Sequence, residues 1–121
     1  MSIADALEAA ADALFVHGRC TGTGMDAEGR LCVRGALVRQ YGLDFDEVFG
    51  AGGWRVADAA LARWLAANPD VIREDVREGH RGCIDEGRFP TWIWNDTTHD
   101  DALVIDSLKR CAKELREAGE S

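Results

Sequence analysis

Three side chains that could bind a metal lie close together between residues 17 and 32. His17 and Cys20 are separated by two residues, and Cys32 follows in the next segment. Zinc prefers four nitrogen or sulfur ligands in a tetrahedron, so a zinc-stapled domain could use these residues with His80 or Cys83 as a fourth ligand. The spacing matches no standard zinc knuckle, and free cysteines are commonly buried as small apolar residues. We therefore predict no cofactor and keep zinc as an alternative.

The same segment would also permit a cysteine-dependent enzyme centred on Cys32. This residue precedes a predicted helix, and a helix N-terminus lowers the pKa of a thiol. His17 could act as the base, and Asn95 or Asp96 could orient it. No catalytic signature surrounds Cys32, and packing of the thiol beneath the loop is the competing interpretation. We therefore predict that the protein is not an enzyme and assign no catalytic residue.

The second cluster of interest is the pentapeptide Trp92-Ile93-Trp94-Asn95-Asp96. Tryptophan is enriched in binding hot spots, but it also wedges between helices in protein cores. Helix positions two apart point to different faces, so one tryptophan could be buried and the other partly exposed. Asn95 and Asp96 are expected to satisfy free backbone groups at a junction between helices. The candidate functional cluster is then His17, Cys20, Cys32, Trp94, Asn95 and Asp96.

Hydrophobic periodicity and capping residues predict the elements that position these clusters. We expect a mainly α fold of about five helices around one core, with a small β-hairpin or structured loop at 20–33, in a single domain spanning 1–121. The predicted helices cover 2–17, 34–41, 54–67, 69–78 and 99–118, with a short helical segment after Pro90 and a loop with one helical turn at 80–89. Asp44 is predicted to cap a short turn, residues 50–53 to form a flexible joint, and Thr98 with Asp101 to form a capping box.

Local signals also predict two chain reversals and the core. Gly18 is expected to end the first helix in a left-handed conformation, and Asp26 to Gly29 has the sequence of a type I turn. Gly35 is expected to let the second helix approach its neighbour closely. The predicted core residues are Leu7, Leu14, Leu37, Leu61, Trp64, Ile105, Leu108 and Leu115.

Composition narrows the range of functions. The net charge of −8 and pI near 4.8 argue against direct nucleic-acid binding, which needs clustered Lys and Arg. The acidic runs are short and interleaved with arginine, which is typical of ordinary solvated helix faces and not of a DNA mimic. No apolar run is long enough for a membrane span, and the N-terminal residues lack the basic start of a secretory signal. We expect a cytoplasmic protein with no membrane partner.

Three segments together resemble a small domain family of unknown function from actinobacteria and the phages that infect them. The family pattern is H-G-W-C-x-G, then D-x-x-G-R-x-C-x-x-G-A-L, then W-N-D before a closing helix. The matching residues are His17, Gly18, Cys20, Gly22, Asp26, Gly29, Arg30, Cys32, Gly35, Ala36, Leu37, Trp94, Asn95 and Asp96. Arg19 departs from the pattern, in which Trp is common, and residues 44–90 do not match clearly.

The resemblance implies that the first helix, the loop and the WND junction pack together, and it brings no activity with it. It also implies a phage or actinobacterial setting. We therefore expect a small, acidic, non-enzymatic interaction module, phage-encoded and acting on a host protein. The size, the acidity and the four tryptophans are the features that favour a protein partner.

Overall fold

Helices dominate the computed structural model, which describes residues 2–41 and 53–119. In those residues the chain forms seven α-helices, of which five have seven or more residues, and one 3₁₀ helix. The prediction of a mainly α fold is confirmed. The elements are α1 (Ile3–His17), α2 (Val33–Gln40), α3 (Gly53–Ala67), the 3₁₀ helix (Pro69–Val71), α4 (Glu74–Gly79), α5 (Arg81–Asp85), α6 (Thr91–Thr97) and α7 (Asp101–Glu117).

The first helix begins and ends at the predicted residues. The Ser2 side chain accepts a hydrogen bond from the Asp5 N–H at 3.0 Å, which satisfies one of the free donors of the first turn. Gly18 ends the helix with a φ of +84°, a conformation that a side chain would disfavour. The buried face consists mainly of alanines with Leu7 and Leu14, so neighbouring helices can approach α1 closely.

The last helix, α7, packs along α1 and closes the core. Its buried face includes Val104, Leu108 and Cys111, each fully buried. At the rim, Arg116 donates to the carboxylates of Asp5 and Glu8 at 2.8 and 2.9 Å. The two ends of the sequence are thereby held side by side.

Six of the eight predicted core residues are buried. Ile105 and Leu115 are the exceptions, because both are only partly buried at the edge of the core. Fully buried residues outside the prediction include Phe89, Trp94 and Leu31. These three come from loops and a short helix, where no helical period marks a buried position.

The glycine-rich loop, residues 18–32, connects α1 to α2. It is a structured loop and not a regular hairpin, because its pairing consists of isolated bridges from Leu31 to Arg19 and to Met25. The predicted turn is present: the Gly29 N–H donates to the Asp26 carbonyl at 3.0 Å, and Gly29 has a φ of +80°. The Asp26 carboxylate adds bonds to the Glu28 and Arg30 N–H groups at 3.1 and 2.8 Å.

The glycine-rich loop lies directly against α2 at Gly35. A Cβ atom at this position would stand 2.1 Å from the Gly24 carbonyl oxygen, which is closer than any real contact. The same Gly24 oxygen accepts the Cys32 N–H at 3.1 Å. The predicted close approach at Gly35 is therefore confirmed, and the backbone of the glycine-rich loop at Gly24 is what lies against this glycine.

Two of the predicted elements differ in the structure. The helix predicted from Pro69 to residue 78 is interrupted, because Ile72 is extended and the Val71 carbonyl accepts the Trp94 Nε1–H at 3.1 Å in place of a helical donor. The prediction of a capping box at Thr98 is also wrong. Asp100 caps α7 by accepting the Leu103 N–H at 3.2 Å, while the Thr98 hydroxyl donates to the Trp94 carbonyl.

Residues 80–89 contain the short helix α5, which agrees with the prediction of a loop with one helical turn. The turn at Asp44 and most of the joint at 50–53 lie outside the described residues. Gly53 is the first residue of α3. Among the described residues, none of the helices combines the length and apolar character that crossing a bilayer requires.

Candidate functional site

Asn95 joins the glycine-rich loop to α6. Its Oδ1 accepts the Val33 N–H at 3.1 Å, and its Nδ2 donates to the Cys20 carbonyl at 3.0 Å. The side chain is buried, and its neighbour Asp96 accepts the Gly22 N–H at 3.0 Å. Both residues satisfy free backbone groups as predicted, but the predicted location of those groups is wrong. The groups belong to a distant segment and not to the local junction.

Arg19 completes the junction from the loop side. Its guanidinium donates to the carbonyls of Asn95 and Thr98 at the end of α6, and its Nε donates to Asp101 at 2.8 Å. The side chain is only 5 % exposed. A planar group with five donors suits this site, where several acceptors converge. An arginine next to a glycine in a loop gives no sequence signal of burial, and this role was not predicted.

The two loop cysteines have structural roles. The Cys20 thiol donates to the Arg30 carbonyl at 3.2 Å, and the Cys32 sulfur accepts the Gly35 N–H at 3.2 Å as the N-cap of α2. Burial raises the pKa of both thiols. At Cys32 the Gly35 and Arg34 backbone N–H groups act in the opposite direction but do not outweigh burial. The helix N-terminus thus acts on the Cys32 pKa in the direction that the cysteine-enzyme alternative requires, but burial outweighs it.

His17 is exposed at the C-terminal end of α1, where its side chain can interact favourably with the free carbonyls of the last turn. Within residues 2–41 and 53–119, no group of three or more His, Cys, Asp or Glu side chains is arranged to hold a metal ion. The structure brings Cys20, Cys32, Asn95 and Asp96 to one junction, with His17 outside their hydrogen-bond network. The zinc alternative consequently has no assembled ligand set among these residues.

The two tryptophans of α6 face opposite environments. Trp94 is fully buried and hydrogen-bonded to Val71, whereas Trp92 is 52 % exposed. The expectation of one buried and one partly exposed tryptophan is confirmed. Trp94, predicted as a site residue, therefore anchors the helix in the core, and Trp92 presents an aromatic ring to solvent.

Trp92 stands between two concave surfaces. The larger, about 690 Å³, lies between α3 and the segment 83–92 and is called the large cleft. The smaller, about 250 Å³, lies between the glycine-rich loop and α6 and is called the small cleft. Arg34 and Trp92 line both clefts. The small cleft is also lined by Gly22, Thr23, Cys32, Asn95 and Asp96, so the junction is both a packed contact and a surface depression.

Arg34, Asp58 and Thr91 form a polar cluster in the wall of the large cleft. The Arg34 Nε donates to the Thr91 hydroxyl at 3.1 Å and lies 3.4 Å from the Asp58 carboxylate, which also accepts the Thr91 hydroxyl. Thr91 is fully buried. These residues come from α2, α3 and α6, so their convergence has no signature along the sequence.

A family model covers nearly the whole chain. It matches residues 1–114, including the middle third, which the short motifs do not cover. A comparison with curated proteins gave no match, and a comparison with solved structures gave none either. The chain therefore belongs to the family of unknown function DUF6197.

Proposed function

We propose that this chain is a non-enzymatic protein-interaction module whose binding surface is Trp92 with the large and small clefts beside it. The observation that supports this is the exposure of Trp92, a large aromatic ring left 52 % accessible between two depressions. Binding energy at protein interfaces is concentrated in such aromatic residues. Clefts beside the ring supply the concave surface into which a partner side chain can fit.

The helix that carries Trp92 is held rigidly. Trp94 and Asn95, two and three residues further on, are buried and bonded to Val71, Val33 and Cys20. A surface that is already ordered loses little conformational entropy when a partner binds. This pre-organisation supports a recognition role for Trp92.

Phe15 is the main competing surface residue. It is 78 % exposed near the end of α1, and Val16 beside it is 73 % exposed. Neither residue lines the large or the small cleft. A single apolar side chain on a convex helix is a normal feature of protein surfaces. Phe15 is therefore the natural control for Trp92.

The proposal extends to the setting that the sequence motifs imply: a phage-encoded or actinobacterial protein acting in the bacterial cytoplasm, with a host protein as partner. The acidic composition favours a soluble module of this kind. The raised pKa of Cys32 supports the choice of binding over thiol catalysis.

Selection from a library of random displayed peptides tests the proposal. The wild-type protein is the target, and the Trp92→Ala and Phe15→Ala variants are assayed with the enriched peptides after circular dichroism has confirmed that both are folded. We expect Trp92→Ala to weaken binding about tenfold or more, as for a hot-spot residue. Phe15→Ala should leave the affinity within about twofold, well under 1 kcal/mol.

Two results would overturn the proposal. One is the absence of any enriched peptide relative to an unrelated acidic protein of similar size. The other is an equal loss of affinity in both variants, or a larger loss in Phe15→Ala, which would place the binding surface elsewhere.

A further inference from the structure

The large cleft has a charge opposite to that of the whole protein. Among the described residues, three arginines and two carboxylates line it, which gives these residues a local charge of +1, whereas the complete chain carries −8. Asp58, one of the two carboxylates, is already engaged by Arg34 and Thr91 inside the wall. The second, Glu86, has an exposed position. The cleft therefore offers more cationic than anionic groups to a ligand.

The arginines of the large cleft are placed to receive an anion. The Arg55 guanidinium lies over the Trp54 ring, 5.6 Å from its centroid, which restricts its orientation. Arg34 is oriented by Thr91 and Asp58 and keeps a third of its side chain exposed. Arg88 is exposed and has no ion-pair partner among the described parts of the chain. Guanidinium groups bind carboxylates in a fixed two-point geometry.

Apolar surface accompanies these charges. Trp54, Pro90 and Trp92 line the same cleft, as do two alanines of α3. A ligand that fits must then offer carboxylates together with at least one apolar anchor. An acidic peptide segment with an aromatic or aliphatic residue has this combination, whereas a small inorganic anion lacks the anchor.

We propose that the large cleft binds an acidic segment of a partner protein, with carboxylates on Arg55 and Arg88 and an apolar side chain beside Trp92. This inference rests on the proposed interaction function and specifies the chemistry of its partner. It also runs against the overall electrostatics, because a protein of charge −8 attracts basic ligands at long range. A preference for acidic peptides can therefore arise only from the local arrangement in the cleft.

Three synthetic peptide libraries provide the test. They share fixed apolar positions and differ only at the polar positions, which carry Asp and Glu, Asn and Gln, or Lys and Arg. Fluorescence anisotropy at low salt measures binding to the wild-type protein. We expect the acidic library to bind about tenfold more tightly than the amide library. Raising the salt to about 0.3 M should remove most of that difference, since the contacts are near the surface.

The variant Arg55→Glu/Arg88→Glu should lower the affinity for acidic peptides about tenfold. Arg39→Glu is the control, because Arg39 is exposed on α2 and does not line the large cleft. Its substitution by Glu is the same type of charge reversal. If amide or basic peptides bind as tightly as acidic ones, and still depend on Trp92, the acidic-partner inference is wrong and the interaction function stands. If none of the libraries binds, both proposals fail.

Discussion

Replacing Asn95 by alanine tests the junction between the glycine-rich loop and α6. The change removes the bonds to the Val33 N–H and the Cys20 carbonyl, both in buried positions. Among the described residues, neither backbone group makes another hydrogen bond. Each buried group left without a partner costs about 1–3 kcal/mol, so the free energy of unfolding should fall by about 2–6 kcal/mol.

This loss is large on the scale of the whole protein. Natural domains have unfolding free energies of about 5–15 kcal/mol, so at the centres of the two ranges Asn95→Ala should remove about 4 of about 10 kcal/mol. Urea unfolding followed by circular dichroism measures the effect. With a slope of about 2 kcal/mol per molar, the midpoint should fall by roughly 1–3 M.

Asn68→Ala is the matched control for this experiment. Asn68 is half-buried at the end of α3, and its side chain makes one hydrogen bond within the described residues, to the Trp64 carbonyl at 2.9 Å. This substitution should cost about 1 kcal/mol or less. Unfolding free energies that agree within about 0.5 kcal/mol for the two variants would refute the reasoning, because the bridge would then contribute no more than a surface amide.

Two further predictions concern the same segment. Gly35→Ala should destabilise the protein by about 1–3 kcal/mol or more, because its Cβ would collide with the Gly24 oxygen. Gly82→Ala is the control: no atom lies near its added Cβ, so it should raise stability by up to about 1 kcal/mol. Thermal unfolding measures both, and equal effects would show that the loop does not pack on α2 as described. In the folded protein at neutral pH, Cys32 should react with an aromatic disulfide more slowly than free cysteine and more slowly than the partly exposed Cys83, because burial raises its pKa. Peptide mapping of the labelled thiols measures this order, and a Cys32 thiol that reacts faster than free cysteine would restore the enzyme hypothesis.

Elements that depend on near neighbours were predictable from the sequence. The Ser2 cap, the Gly18 terminus and the turn at Asp26 to Gly29 each involve residues within four positions of one another. Their chemistry is local, so residue type and spacing are enough to identify them. The amphipathic helices were predictable for the same reason, because apolar residues that recur about every 3.6 positions can be recognised within a single segment of sequence.

The interruption at Ile72 was not predictable in this way. Pro69 and the residues after it have a helix-compatible pattern, but the carbonyl of Val71 is taken by a tryptophan 23 positions later. A tertiary contact thus overrides the local preference. The same holds for α7, where Asp100 is the cap because Thr98 is already bonded to Trp94.

For the candidate site, the sequence supplied the residues but not their arrangement. Cys20, Cys32, Asn95 and Asp96 do meet, and a family motif was the signal that linked them. Arg19 and the Arg34, Asp58 and Thr91 cluster were missed, because their partners are 24–82 positions away. Polar residues buried by distant partners have the same local appearance as exposed ones, so only the fold identifies them.

The pairing of α1 with α7 has a consequence for how the chain is made. A protein emerges from the ribosome N-terminus first, and α1 is complete roughly a hundred residues before its partner at Arg116 is synthesised. Until then α1 lacks α7, the helix it packs against most extensively, and the glycine-rich loop lacks Asn95 until α6 has been made. Contacts so distant in sequence also form slowly, because a long loop must close first. Nascent chains of this protein should therefore depend on chaperones until α7 has been synthesised, and chains terminated before α7 should be degraded.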